Sequence, residues 1–454
     1  MSEAVTTRQQ ELAGKYRPYP EYKDSGVVWL GDVPEHWVLS RVKDVAVVFG
    51  GYPFDSQRFS PDVGVPLIRI RDINTELTAV YFDGDVPQEA IVENNDVLIG
   101  MDGEFNVARW KGGKAALNQR VACVRTDSDE LTTLLFYTLP FSLKVVNDLT
   151  YYTTVKHLSL EDIKKTIFAL PQGEELSNIV AFLDYETARI DRLIAQQQRL
   201  IELLKEKRQA VISHAVTKGL NPTATMKDSG VEWLGQVPEH WQCVPFGLLV
   251  SRADLGGNYL GGQEENGIPF LKMGNLGRGC IVLDKLECLE EGSSFDDAHR
   301  LSMGDFLFNT RNSLDLVGKV AVWHDELEFA LYNSNLLRVR FKKDFVSSPD
   351  FMGFVFNSSG ALGWLALLAK GTTSVAAIYY KDLRSMVVPI PPVDEQNAIS
   401  SFISKCLSRL DTLEKKAIQS INLMNERRTA LISAAVTGKI DLRGWTPPAD
   451  EVAA

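Results

Sequence analysis

The sequence KDSGVVWLGDVPEHW at residues 23–37 returns as KDSGVEWLGQVPEHW at residues 227–241, and this repeat decides the architecture of the chain. Two of the fifteen positions differ, Val28 against Glu232 and Asp32 against Gln236. So long a match in a non-repetitive composition indicates an internal duplication. The Gly and Pro content excludes the interior of a helix or strand. We therefore expect the Trp and Val side chains to pack and the turns to fix where the chain enters a domain.

The duplication extends beyond this peptide. Residues 66–73 match residues 269–276, and residues 118–125 resemble residues 333–340. The offset between the copies is 204 at the first peptide and 220 over the last part of each copy. Each copy therefore has similar ends and a divergent middle. Simple duplication followed by drift would spread the differences more evenly, and it remains the alternative explanation.

The middle of each copy is predicted to contain a mixed sheet. Short apolar runs separated by Gly, Pro, Asn and Asp are typical of strands. In the first copy such runs occupy residues 44–49, 66–70, 96–99 and 120–124. Residues 131–146 have apolar positions at three- and four-residue spacing, which predicts a helix.

A long helix is predicted to follow each globular region. Residues 174–216 contain no Gly or Pro, and apolar residues recur mostly at steps of three, four or seven. These residues are Ile179, Leu183, Ile190, Leu193, Leu200, Leu204 and Val211. Residues 394–436 repeat the pattern with Ile399, Ile403, Leu410, Leu413, Ile421, Met424 and Leu431. A helix of about 43 residues is about 60 Å long at ~1.5 Å per residue.

Such an amphipathic helix needs a partner to cover its apolar stripe. The equivalent helix of the other copy is the simplest partner, and an antiparallel pair would place the globular regions at opposite ends. The alternative is that both helices are ordinary domain core. The predicted fold class is α/β (α+β), with two similar globular domains separated by two long, antiparallel, coiled-coil-like helices in a pseudo-twofold internal repeat. The predicted boundaries are a tail at 1–20, a first domain at 21–172, a central helix at 173–218, a second domain at 219–392, a distal helix at 393–437 and a tail at 438–454.

The composition is that of a globular chain. The 454 residues are 45% hydrophobic and 24% charged, and the net charge is −11. No apolar run approaches the ~20 residues of a membrane helix, and the polar first residues favour a cytoplasmic location. The five cysteines are scattered, which indicates reduced thiols and no structural zinc.

The chain lacks the common catalytic motifs. It has no GxxxxGK[ST], GxGxxG, GxSxG or HExxH sequence. Asp102-Gly-Glu104 resembles a nuclease acidic pair, but its counterpart in the second copy lies near Arg311 and Asn312. We therefore predict that this chain carries no catalytic centre and binds no metal or cofactor itself.

The duplicated peptide and helix motifs resemble the specificity subunit of type I restriction-modification enzymes. Besides KDSGVxWLGxVPEHW, the match rests on the strand at residues 66–70 and on Phe182-Leu-Asp184 followed by residues 190–194 and 204–213. The second helix repeats these motifs at Phe402 and at residues 410–413 and 427–433. The resemblance covers nearly the whole chain.

This resemblance implies that each divergent domain is a target-recognition domain for one half of a split, asymmetric DNA site. The helices would set the spacer and dock two methyltransferase subunits, and two motor-nuclease subunits would complete the restriction complex. The complex would use S-adenosylmethionine, ATP and Mg²⁺ through those other subunits.

Candidate DNA-binding residues are those whose side chains can reach base edges or phosphates. In the first domain, Arg69 and Arg71 alternate with isoleucines and are expected on one strand face, and a basic cluster is interleaved with Trp110. The first-domain candidates are Arg69, Arg71, Asn74, Arg109, Lys111, Lys114, Arg120, Tyr151, Tyr152 and Lys156. The second-domain candidates are Lys272, Asn275, Arg278, Arg311, Asn312, Lys319, Tyr379, Tyr380 and Lys381. A solvated surface charge is the alternative for each one.

The acidic charge argues for dependence on partners. Phosphate contacts supply most non-specific DNA affinity, so an isolated chain at −11 is expected to bind DNA weakly. Three other functions remain open: a non-catalytic coiled-coil adaptor, a nuclease or methyltransferase in its own right, and the recognition subunit of a fused methyltransferase-nuclease system. The adaptor does not explain why the globular middles diverge while the ends persist.

Overall fold

A computed structural model describes residues 16–75, 77–149, 157–262, 267–290, 292–371 and 375–448. It divides into two compact units, one formed by residues within 1–197 and 419–454 and the other by residues 198–418. Unit 1 and unit 2 each contain one globular region and a portion of both long helices.

The elements of unit 1 are short strands with a few helices. Its strands are β1 (Tyr22–Asp24), β2 (Asp32–Pro34), β3 (Val38–Arg41), β4 (Val47–Gly50), β5 (Phe59–Ser60), β6 (Val65–Ile68), β7 (Tyr81–Phe82), β8 (Ile91–Val92), β9 (Val97–Gly100), β10 (Val107–Arg109), β11 (Ala115–Leu117), β12 (Val121–Arg125) and β13 (Ile167–Leu170). Its helices are α1 (Val42–Val45), α2 (Asp129–Leu149) and α3 (Leu160–Lys165). The first long helix, α4 (Glu174–Lys218), then leads into unit 2.

Unit 2 repeats this succession. Its strands are β14 (Met226–Asp228), β15 (Gln236–Pro238), β16 (Gln242–Pro245), β17 (Val250–Leu255), β18 (Ile268–Leu271), β19 (Glu287–Leu289), β20 (Phe306–Asn309), β21 (Arg311–Asn312), β22 (Val320–Val322), β23 (Leu331–Tyr332), β24 (Leu336–Phe341), β25 (Lys370–Gly371), β26 (Ala376–Ala377) and β27 (Val387–Ile390). Its helices are α5 (Phe246–Leu249), α6 (Pro349–Phe356), α7 (Ser359–Leu368) and α8 (Tyr380–Leu383). The second long helix, α9 (Val393–Val436), ends in unit 1.

The two globular regions share a common core of sheet strands. Unit 1 has an antiparallel sheet in the order β10-β9-β12-β4, and unit 2 has β22-β20-β24-β17 in the same arrangement. A second sheet contains β7-β6-β11 in unit 1 and β19-β18-β23 in unit 2, and its β6/β11 and β18/β23 pairs are parallel. The middles that differ in sequence are therefore built on one frame, and the predicted mixed sheet and internal repeat are confirmed.

The predicted local elements are mostly present, with three differences. The repeated peptide, expected outside the interior of any strand, contributes to the paired short strands β1 and β2. The strand expected at residues 44–49 is wrong in its first half, because residues 42–45 form the short helix α1 and β4 begins at residue 47. The helix expected at residues 131–146 is present as the longer α2. Its counterpart in unit 2 is broken into α6 and α7, where the Ser358 hydroxyl accepts a hydrogen bond from the Ala361 amide and caps a new helix.

The repeated peptide packs, as the sequence predicts, and its partners include the long helices. Trp37 is fully buried in unit 1, and its indole N–H donates to the Glu175 carboxylate in the first turn of α4 at 3.0 Å. In unit 2, Trp241 donates to Glu395 in the first turn of α9 at 3.1 Å. The peptide therefore fixes the start of the long helix that follows it in the chain.

Within each unit, portions of the two long helices run antiparallel. In unit 1, Arg428 Nε of α9 lies 3.1 Å from Asp191 Oδ1 of α4. In unit 2, Arg208 of α4 pairs with Asp411 of α9. These two ion pairs are equivalent, since the arginines and the aspartates are each 220 residues apart. The antiparallel prediction is confirmed, and the helix bounds lie within two residues of those predicted.

The apolar stripe is buried in part, and the buried positions include Ile190 and Leu204 in the middle of α4. Ile179 and Leu183 are buried in the core of unit 1, and Ile399 and Ile403 in the core of unit 2. Other predicted stripe residues are exposed, namely Leu193 (40%), Leu200 (39%) and Leu413 (48%). The described chain therefore leaves part of each stripe uncovered.

Exchanging the charges of Asp191 and Arg428 tests whether this ion pair stabilises the antiparallel packing of α4 and α9. Both side chains are partly exposed, so we expect Asp191→Arg or Arg428→Asp alone to lower the free energy of unfolding by about 0.5–1 kcal/mol. The double exchange should recover most of that loss, because the opposite charges again face each other. Thermal unfolding of all three variants checks this, and a double variant no more stable than the less stable single variant would contradict it.

No single helix in the described parts of the chain is long and apolar enough to cross a membrane. The bent pair α6 and α7, at 71° to each other, meets the length and composition criteria together.

Candidate nucleic-acid interface

The arginines that follow β6 do not lie on a strand face, so the alternation expected for Arg69 and Arg71 is wrong. The strand ends at residue 68, and residues 70–72 form a 3-10 turn. The Asp72 carboxylate accepts from the backbone amide of Arg69 at 3.1 Å and from its Nε at 2.8 Å. A local side-chain cap therefore stops the strand. Arg71 and Asn74 remain exposed on the turn.

The equivalent turn in unit 2 uses Lys272 and Asn275 in the same way. The Asn275 oxygen accepts from the Lys272 amide at 2.9 Å, and its Nδ2 donates to the Val282 carbonyl at 3.0 Å. Asn275 is buried, and the Lys272 ammonium pairs with Glu287. The structure thus places Asn275 as a cap of its own turn, with both ends of its amide occupied.

Asn74, Arg109 and Lys111 line one groove of about 600 Å³ in unit 1. Arg109 donates to the Thr133 hydroxyl at 2.9 Å, and its Nη2 lies 4.0 Å from Asp184 of α4. Its guanidinium is therefore held where the globular region meets the long helix.

Tyr137 strengthens the same junction. Its hydroxyl donates to Asp184 at 2.7 Å, and burial together with this carboxylate raises the pKa of Tyr137. Tyr137 therefore stays neutral and donates at all physiological pH values.

Trp110, which the sequence interleaves with the basic residues, does not offer a stacking surface. Its indole is buried, and Nε1 donates to the Gly113 carbonyl at 2.6 Å. Lys111 and Lys114 are exposed on the turn that this bond closes. Gly113 has φ +79°, which favours glycine there.

Arg120 lies on the turn between β11 and β12 and joins an ionic cluster. Its Nη1 is 3.1 Å from Asp102 Oδ2, and His157 Nδ1 is 2.8 Å from Asp102 Oδ1. The side chains of Arg120 and His157 are about half exposed, at 54% and 52%. Tyr151, Tyr152 and Lys156, which the sequence places just before this histidine, lie outside the described residues.

Four of the remaining candidates of unit 2 lie on β21 and on turns. Arg311 and Asn312 form β21, which pairs with β26, and Arg311 is exposed. Arg278 is exposed and donates to the Asp315 carbonyl at 3.1 Å, and Lys319 is half-buried.

The other three candidates lie at the start of α8. The Lys381 ammonium lies 5.8 Å from the ring centroid of Tyr379, which is 48% exposed. Tyr380 is half-buried against the core.

Sequence reasoning did not single out several of the residues that organise these surfaces. His157 completes the ionic cluster of Arg120 and Asp102, and Glu175 and Glu395 hold the repeated peptides. Asp102 was considered only as part of a possible nuclease pair. A signal for the two glutamates was present, because they recur at the 220-residue offset of the helices. Among the residues that the structure describes, no group of three or more His, Cys, Asp and Glu side chains is placed to hold a metal ion.

A duplicated mixed domain, with a long helix after each copy, defines a protein with two related globular domains. The model of the type I restriction modification DNA specificity domain matches residues 34–203 and 262–423. The chain belongs to this family.

Relatives match over nearly the full chain. The EcoBI specificity subunit of Escherichia coli is 26% identical over 433 residues, covering 92% of this chain and 90% of that protein. The EcoKI specificity subunit of Escherichia coli K12 is 23% identical over 436 residues, covering 90% of each. A chain from a solved structure of a type I restriction-modification system shares the fold, with a TM-score of 0.64 and 18% identity over 89% of this chain and 98% of that one.

Proposed function

We propose that this chain is the DNA specificity subunit of a type I restriction-modification complex and that each globular region recognises one half of a bipartite site. The observation that carries the proposal is the repeated frame with different exposed side chains. The surface beyond the shared strands carries Asp102, Arg120 and His157 in unit 1 but Arg311 and Asn312 in unit 2. Two related domains with different surfaces suit two different half-sites.

The long helices are proposed to dock the methyltransferase subunits and to set the spacer between the half-sites. The support is the exposed apolar surface on the portions of both helices in each unit. In unit 1 these residues are Leu193 and Leu423, and in unit 2 they are Leu200, Leu203, Leu413 and Ile418. Exposed apolar rows of this kind are typical of surfaces that bind a partner.

The complex would contain two methyltransferase and two motor-nuclease subunits. The S-adenosylmethionine, ATP and Mg²⁺ of the reactions would be bound by those subunits. The role of this chain would then be to choose the DNA sequence and not to transform it.

Methylome sequencing of cells with and without the gene tests the proposal. We expect a bipartite methylated motif, two short specified sequences with an unspecified spacer, to disappear when the gene is deleted and to return on complementation. The methyltransferase partner must be expressed in both strains, which immunoblotting verifies. An unchanged set of methylated motifs under those conditions would reject the proposal.

A further inference from the structure

The turn that carries Arg120 has an equivalent in unit 2 with the same backbone. Tyr52 and Asn118 form a parallel bridge in unit 1, as Gly257 and Asn333 do in unit 2. Four backbone hydrogen bonds recur at matching positions. In unit 1 they run from Tyr52 N to Leu117 O, from Gln119 N to Tyr52 O, from Met101 N to Arg120 O and from Leu158 N to Met101 O. In unit 2 the corresponding bonds run from Gly257 N to Tyr332 O, from Ser334 N to Gly257 O, from Thr310 N to Asn335 O and from Ile378 N to Thr310 O. The main chain is therefore the same on both surfaces.

The side chains on this shared backbone differ in charge and size. Asp102 pairs with His157 across a bridge in unit 1, and Arg311 pairs with Ala377 in the same place in unit 2. Arg120 is matched by Asn335. In contrast, the asparagine at the base of the turn is retained as Asn118 and Asn333. A fixed backbone with exchanged exposed side chains is what two domains of different specificity require.

We infer that Arg120 distinguishes a guanine in the half-site bound by unit 1, with Asp102 as its positioning residue, and that Arg311 occupies the equivalent surface of unit 2. This inference rests on the proposed function. Arginine is the commonest reader of guanine, through two parallel N–H donors to O6 and N7. Asp102 is bound through Nη1 of Arg120, so the edge formed by Nε and Nη2 can be presented to a base.

The carboxylate favours base contact over phosphate contact. Asp102 is held between Arg120 and His157 and is itself 25% exposed. A negative charge beside the guanidinium weakens attraction to phosphates, which depends on net positive charge. The same carboxylate restricts the rotamers of an otherwise mobile arginine, and this restriction improves discrimination between bases.

The test compares Arg120→Ala, Asp102→Ala and Arg311→Ala, each co-expressed with the cognate methyltransferase subunit, by methylome sequencing. Arg120→Ala should relax one G·C position in one half of the motif by roughly 10- to 100-fold in relative methylation. Asp102→Ala should relax the same position less. Arg311→Ala should relax a position in the other half. The spacer and the remaining positions should not change in any variant.

The matched control is Arg41→Ala, an exposed arginine of the same unit outside this turn, which should leave the motif unchanged. All variants should melt within about 2 °C of wild type, because the substituted side chains are partly or largely exposed. An unaltered motif in Arg120→Ala, or equal loss at every site with no altered position, would overturn the inference. Absence of any bipartite motif with the wild-type chain would instead reject the proposed function.

Discussion

Glu175→Ala is expected to lower the free energy of unfolding of unit 1 by about 3–5 kcal/mol, because a buried carboxylate is the common acceptor of three side chains. Tyr19 donates to it at 2.5 Å, Trp37 at 3.0 Å, and His36 Nε2 lies 2.7 Å away. Its side chain is 7% exposed. Burial and the hydrogen bond to Glu175 raise the pKa of Tyr19. The alanine variant would leave buried donors without an acceptor at the point where α4 begins.

Calorimetry on the full chain checks this expectation. For a unit of roughly 200 residues, each kcal/mol shifts the melting temperature by about 2–4 °C, so unit 1 should melt roughly 6–20 °C lower. Glu174→Ala is the matched control, since Glu174 lies in the same helical turn but is exposed. Glu395→Ala should cost less, because Glu395 is 25% exposed. A Glu175→Ala chain that melts like Glu174→Ala would contradict the expectation.

The contacts of the repeated peptide show what the sequence could and could not predict. Packing of its Trp and Val was predictable from their place among turn residues, and Trp37 and Val33 are fully buried. The acceptor was not predicted, because Glu175 lies 138 residues from Trp37 along the chain. Periodicity describes which side of an element is apolar, but it does not identify the distant polar partner.

The long helices were predictable to within two residues because Gly and Pro are absent from them and stops flank them. The turn after β6 was not predictable from the sequence pattern. Its alternating Ile and Arg residues favour a strand, but the Asp72 carboxylate accepts the Arg69 amide and starts a 3-10 turn. Whether a side chain on such a turn is free to contact DNA depends on local hydrogen bonds that the sequence pattern does not reveal. Arg69 and Asn275 were therefore expected to contact DNA, although both have partners within their own unit.

A second large effect is expected from changing the partner of a buried arginine in unit 2. The equivalent position in unit 1 does not hold an arginine. Arg338 of β24 is 2% exposed, and its Nη2 lies 3.0 Å from Asp254 on the neighbouring strand β17. The equivalent cross-strand pair in unit 1 is apolar, Phe49 with Cys123. One sheet position is thus filled by an ion pair in one domain and by two apolar side chains in the other.

Asp254→Phe alone should lower the free energy of unfolding of unit 2 by about 3–5 kcal/mol, since it removes the near carboxylate from a buried cation. Arg338 would keep the Arg300 carbonyl at 2.9 Å and Asp305 at 3.9 Å. The double variant Asp254→Phe/Arg338→Cys transplants the unit 1 pair and should lie within about 1 kcal/mol of wild type. Chemical denaturation of the single and double variants measures the coupling. A double variant as unstable as Asp254→Phe would contradict the argument.

The same pair predicts a pH dependence with a definite sign. Burial opposes ionisation of Asp254, but hydrogen bonds from Arg338 and Arg252 and their positive charges outweigh it, so its pKa is lowered from the ordinary 3.8. A carboxyl with a lowered folded-state pKa adds stability above its ordinary pKa and loses it as the pH falls through the lowered value. Wild-type unit 2 should therefore lose stability on acidification below about pH 4 more steeply than the double variant, which lacks this carboxyl. Equal slopes of stability against pH in the two chains would show that Asp254 does not carry the effect.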